Sequence, residues 1–293
     1  MKNEFVRFLT QDGLELQGLF WSSNSKNAVV YVHCLAGNFY DSHFLDYLAS
    51  ELNKNGFDLF TFNNRGHDYI SDFTKYENEC PINVQIGAAH EVFEDCVFDI
   101  RAAIDLVEKR HYSKIYVAGH STGALKITFY SSSTHDQRLN GLILLSPSDD
   151  IGIQRKNLGE KYDSILKIAK NLTQNGKSRE LMPSGLFNYP IIDARTYLAT
   201  FGSDSKIGLF KFHLEGFDFP ELRNANCPIL VIFGTEREAV AGDVRKAAGL
   251  LRKLSSRGVQ ITVDLVEDAP HNYLNHEKEL AGILTGWVKR QIY

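Results

Sequence analysis

Apolar and polar positions change period several times along this chain. Residues 4–9 and 14–21 alternate apolar and polar side chains on either side of Thr10-Gln11-Asp12-Gly13, and an Asp-Gly turn between two period-two segments predicts an antiparallel hairpin. Residues 28–32 and 57–62 are short apolar runs. Between them Phe44, Leu45, Leu48 and Leu52 recur at helical spacing up to Asn55-Gly56, a stop signal, so this region predicts a strand-helix-strand unit.

The alternation continues with a helix over about 94–110, a strand over 114–118, a helix from 124 to 130, and strands over 141–145 and 228–233. A helix over about 243–254, a strand over 260–266 and a last helix through Leu280, Ile283, Leu284 and Trp287 close the chain. Val/Ile-rich runs alternating with helices predict an α/β fold, a mainly parallel twisted sheet with helices on both faces. Residues 149–219 interrupt the rhythm: they carry helical patterning over 162–172 and 192–201 but no convincing strand. They predict a helical cap or lid inserted into a core of residues 1–148 and 220–293. The cap's Leu181, Met182, Leu186, Phe187, Tyr189, Tyr197, Phe201, Phe210, Phe212, Phe217 and Phe219 either line a pocket or form the insert's own core, and packing is the commoner fate of each.

Composition narrows the function classes. With 32 Lys and Arg against 36 Asp and Glu, the net charge is -4, and no basic run offers a track for a phosphate backbone, which argues against nucleic acid. Cys34, Cys80, Cys96 and Cys227 form no Cys-x-x-Cys pair or ligand-spaced cluster with histidine, so neither a metal site nor a disulfide framework is expected. Reduced thiols and the absence of a long apolar run or signal-like N-terminus fit a cytoplasmic protein with no membrane span.

The candidate chemistry begins at Gly119-His120-Ser121-Thr122-Gly123. Alone a Gly-x-Ser-x-Gly match is a weak signal, but this one lies between a buried strand and a helix, where a sharp turn lifts the serine hydroxyl above a sheet edge. A serine needs a base to take its proton, and the base needs an acid to hold its tautomer. His271, in Asp268-Ala269-Pro270-His271-Asn272-Tyr273 after the last strand, is the histidine placed to serve. The loop after the 228–233 strand carries Glu236 and Glu238, and Asp149 and Asp150 follow the 141–145 strand. The backbone amides of Thr122 and of Leu35, or of Cys34 if the turn is tighter, are the expected oxyanion donors. His33 reads as a brace for that loop, and Cys34 as packing or as a thiol close to the site. Asn63-Asn64-Arg65-Gly66-His67-Asp68 ends another strand on the same side of the sheet and is expected to order the strand-end loops.

In combination, His33 followed by Gly37-Asn38-Phe39-Tyr40, the Asn64-Arg65-Gly66-His67 turn, Gly119-His-Ser-Thr-Gly123 and Ala269-Pro-His271-Asn272 resemble the α/β-hydrolase superfamily across nearly the whole chain. Within it the chain is similar to a poorly characterised group that includes fungal siderophore esterases. The resemblance implies Ser121 as nucleophile, His271 as base and an acid in a late loop. Its common spacing places the acid at Glu236 by a small margin, at Glu238 if the loop has gained a residue, or at Asp149 or Asp150 after the preceding strand. It implies hydrolysis of a small-molecule ester, lactone or thioester through an acyl-enzyme, with no cofactor. A competing expectation is a non-hydrolytic member, a binding protein or isomerase, which the uncertain acid favours.

Overall fold

The computed structural model describes residues 2–186 and 191–292. Strands β1 (Lys2–Leu9), β2 (Glu15–Ser22), β3 (Asn27–Val32) and β4 (Phe57–Phe62) surround helix α1 (Leu45–Lys54) in sequence. Strands β5 (Asp72–Glu77) and β6 (Cys80–Gln85) follow. Then come α2 (Cys96–Lys109), β7 (Lys114–His120), α3 (Thr122–Thr134) and β8 (Leu139–Leu145). Helices α4 (Asp150–Leu158), α5 (Tyr162–Gln174), α6 (Ala194–Phe201) and the short α7 (Pro220–Arg223) precede β9 (Ile229–Glu236), α8 (Val244–Ser255), β10 (Ile261–Pro270) and α9 (Glu277–Arg290).

Strands β1 to β4 and β7 to β10 form one sheet in the order β1-β2-β4-β3-β7-β8-β9-β10, and β5 and β6 pair in a second. β1 and β2 pair antiparallel as the Asp-Gly turn predicts, β2 meets β4 antiparallel, and every pairing from β4 to β10 is parallel. Successive residues of a strand point to opposite faces, and both faces are covered. Val30, Val32, Val117 and Val231 pack with Ile100, Ile104 and Leu251 of α2 and α8. Their neighbours Val29, Tyr31, Ala118 and Ile232 pack with Leu48 and Leu52 of α1 and with Leu280, Leu284 and Trp287 of α9. Two buried faces are the reason these strands read as unbroken apolar runs.

The β5-β6 hairpin lies outside the predicted elements. Its strands are mostly exposed and turn through Asn78 and Glu79, both at positive φ, although Phe73 is buried and Ile82 and Val84 alternate with polar residues along β6. No helix among the described residues is long and apolar enough to cross a membrane. The four cysteines are free thiols.

Between β8 and β9 the described residues include the helices α4 to α7. Met182, Tyr197 and Phe201 join Tyr162, Ile165 and Ala169 in a separate small core, with Leu186 against it. Phe210 and Phe219, with Phe212 and Phe217 beside them, instead pack on the main core, where the Phe212 ring lies 6.0 Å from that of Phe233. Leu181 is exposed; Phe187 and Tyr189 lie outside the described residues. The aromatic residues of this segment are therefore mainly packing.

Candidate active site

Ser121 joins β7 to α3 with φ 54° and ψ −120°, a backbone that costs a residue with a side chain about 1–3 kcal/mol. Two glycines make the turn possible. A Cβ on Gly119 would lie 2.3 Å from the carbonyl oxygen of Gly123, and one on Gly123 would lie 2.3 Å from that of Val32. Helix α3 thus starts close over the ends of β7 and β3 and thrusts Ser121 out at its N-terminus. Unpaired amides and the helix dipole favour developing negative charge at that point.

His271 immediately follows β10. Its Nε2 is 3.0 Å from Ser121 Oγ and its Nδ1 is 2.7 Å from Glu238 Oε2. A carboxylate can only accept, so the ring proton sits on Nδ1 and Nε2 turns its lone pair to the serine hydroxyl. The structure therefore brings together the predicted serine and histidine, and of the candidate carboxylates it places Glu238, not Glu236, against the histidine. Glu236 is exposed at the end of β9, paired with Pro270 of β10. The chain then reverses at Arg237, whose φ is 51°, and carries Glu238 back beneath His271 with its side chain only 2% exposed. Glu238 Oε1 accepts from Gly234 N at 2.7 Å and from Ser146 Oγ at 2.6 Å, and Oε2 accepts from Ala239 N at 3.2 Å. These donors satisfy a carboxylate that burial would otherwise penalise. Asp149 is turned away: it caps α4 and binds His213 Nδ1 at 2.9 Å. Asp150 accepts from Ser148 Oγ at 2.9 Å.

Two further side chains hold this arrangement. Ser146 stands where β8 ends, and nothing in the sequence marks it. His120 does have a signal, its place beside Ser121: its Nε2–H donates to the carbonyl of His271 at 2.8 Å. Burial first, and the nearby His271 second, lower the His120 pKa to about 3. Because the folded value lies below the usual 6.5, His120 contributes stability that is present above about pH 6.5 and is lost as pH falls toward 3. Urea midpoints are expected to drop between pH 7 and pH 4, and His120→Gln, which keeps a neutral N–H donor, to flatten that slope. An unchanged slope would show that His120 charges at no cost to the fold.

The loop after β3 carries the Leu35 amide expected as the second donor. The buried His33 accepts from Asn64 N at 3.0 Å through Nε2, and its Nδ1–H donates to the Cys34 carbonyl at 2.8 Å. Gly37 N also donates to that carbonyl, at 3.0 Å. In a trans peptide C=O and N–H point oppositely, so anchoring the Cys34 carbonyl fixes the aim of the Leu35 N–H. Burial raises the Cys34 thiol pKa, which keeps it protonated near neutral pH and a poor nucleophile. The Arg65 turn orders the loops as expected: its guanidinium, 3% exposed, binds Asp99 at 2.8 Å, Asp12 at 3.0 Å and Asp95 at 3.1 Å.

The family described as Serine aminopeptidase, S33, matches residues 23–279. No curated protein matches the chain. Among solved structures, a thermostable carboxyl esterase from Bacillus coagulans aligns with a TM-score of 0.70 and 15% identity over 100% of each chain. An esterase from Pyrococcus furiosus aligns with a TM-score of 0.62 and 16% identity over 99% of this chain and 91% of its own. A soluble variant of the Saccharomyces cerevisiae monoglyceride lipase aligns with a TM-score of 0.63 and 14% identity over 97% and 94%. At these identities the structural likeness speaks for the α/β-hydrolase fold.

Proposed function

The chain belongs to the serine aminopeptidase S33 family of α/β-hydrolases, and from that footing we propose that it is a serine hydrolase acting on a carboxylic ester of a small molecule. The observation that carries the reading is the hydrogen-bonded line from Ser121 Oγ through His271 to Glu238. Ser121 Oγ attacks the ester carbonyl while its proton passes to His271 Nε2, and the imidazolium so formed is stabilised by Glu238. The amides of Thr122 and Leu35 hold the tetrahedral oxyanion. Collapse expels the alcohol, which takes the proton from Nε2 and leaves an acyl group on Ser121. Water, deprotonated by His271, then hydrolyses that acyl-enzyme.

Such a cycle draws on no metal or organic cofactor. Ester carbonyls are preferred as substrate because the structural neighbours include esterases and a monoglyceride lipase. The expectation of a non-hydrolytic member leaned on an uncertain acid, and Glu238 at 2.7 Å from His271 supports the hydrolytic reading instead.

A fluorophosphonate probe tests the reading. The folded protein at neutral pH is expected to be labelled once, on the peptide containing Ser121, and urea-unfolded protein not at all. No labelling of the folded protein would sink the proposal.

A further inference from the structure

We infer that the acyl group accepted at Ser121 is short, of roughly two or three carbons, because the cavity beside the Leu35 and Thr122 amides is small and has a charged floor; the inference rests on the hydrolase reading above. The leaving oxygen must come within reach of His271 Nε2 to be protonated, so the alcohol portion lies on the His271 side. On the other side, a cavity of about 20 Å³ is walled by Leu35 and Thr122 from the core and by Ile192, Ala199, Thr200 and Ile207 from the helical insert. Neither His271, Glu238 nor Ser146 lines it. Ser121 does not line it either, but Leu35 and Thr122, the residues of the two oxyanion amides, do, and on that ground we place it on the acyl side of the carbonyl carbon. Its volume is room for about one water molecule, comparable to a methyl or ethyl group.

The floor resists deepening. Glu91 also lines the cavity. It is 7% exposed and pairs at 2.6 Å with Lys126, which is fully buried and also donates to Asn64 Oδ1 at 3.0 Å. A desolvated ion pair is strongly disfavoured from separating, and an apolar chain laid against it would gain little from leaving water.

The roof is tied down. Asp193 N donates to the Ala89 carbonyl at 2.9 Å. The Asp193 carboxylate, fully buried, binds His90 Nδ1 at 2.7 Å and caps α6 through Thr196 N at 2.6 Å. Thr196 Oγ1 donates to the Glu91 carbonyl at 3.2 Å. Helix α6 is thus stitched to the segment that forms the floor, and lifting it would break these bonds together.

Esters of p-nitrophenol with acetyl, butyryl, hexanoyl and octanoyl groups test the inference. One methylene too many in a filled pocket costs about 10-fold or more. The expected kcat/KM on octanoate is at least about 100-fold below that on acetate. Ile207→Ala, which removes wall, is expected to raise hexanoate relative to acetate by about 10-fold; Ala199→Leu, which fills the cavity, is expected to lower butyrate relative to acetate by a similar factor. Fluorophosphonate labelling of each variant checks that the serine site is intact, and either variant suffices if the other fails to fold. A flat or rising profile with chain length in a labelled protein would overturn the short-acyl inference and leave the hydrolase standing. Absence of both labelling and turnover would overturn the hydrolase reading, and this inference with it.

Discussion

Ser121→Ala is expected to lower kcat on p-nitrophenyl acetate by about 10⁶-fold, with the residual rate set by binding and the oxyanion donors alone. The nucleophile has no understudy: Ser146, though near, already donates to Glu238 at 2.6 Å. Stability should follow the backbone rather than the hydroxyl. Alanine inherits φ 54° at this turn and gains nothing, whereas Ser121→Gly relieves the strain and is expected to be equally inactive yet about 1 kcal/mol more stable than Ser121→Ala. Stopped-flow release of p-nitrophenol and urea unfolding check the two halves separately. An alanine variant within tenfold of the unmodified rate would remove Ser121 from the chemistry.

Glu238→Gln is expected to cost about 10⁴-fold in kcat while Glu236→Gln stays within about twofold. The substituted amide can keep the bonds from Gly234 N and Ser146 Oγ by presenting its carbonyl oxygen to them, so the loop need not move. Its nitrogen then faces His271 Nδ1 and donates, which drives the ring proton to Nε2. The base would then point a proton at the hydroxyl it should deprotonate. Kinetics of both variants, with fluorophosphonate labelling rates alongside, decide the assignment. Equal small losses, or a larger loss at Glu236, would show that the 2.7 Å contact between Glu238 and His271 is not the working one.

These two carboxylates show where the sequence stops being informative. Counting from Gly234 favours Glu236 because spacing assumes that the strand ends at the glycine. β9 instead continues to Glu236, which spends that side chain on solvent, and a left-handed residue at Arg237 supplies the reversal. Nothing in the one-letter order announces that a residue with a side chain will take positive φ. The β5-β6 hairpin escapes for a different reason: most of its residues are exposed and only Phe73 is buried in the core, so burial imprints little on it. The described aromatic residues of the insert pack on the main core or in the insert's own, the commoner of the two expected fates. Ile192, Ala199, Thr200 and Ile207, which line the cavity, look like ordinary helix and loop residues.

Other features were legible because local physics dictates them. Apolar runs bounded by turn residues gave the parallel strands, since a strand buried on both faces admits little else. Gly119 and Gly123 around Ser121 gave the elbow, since only glycine allows α3 to start so close to β7 and β3. His271 was marked by its place after the last strand. Sequence by itself determined the alternating α/β architecture and singled out Ser121 and His271, because each depends on residues near in the chain. Only the tertiary structure decided which carboxylate meets His271, the bracing by Ser146 and His120, and the size of the cavity beside Thr122. Those depend on distances between segments up to about 150 residues apart, such as the 3.0 Å between Ser121 and His271, which folding sets and spacing along the chain does not record.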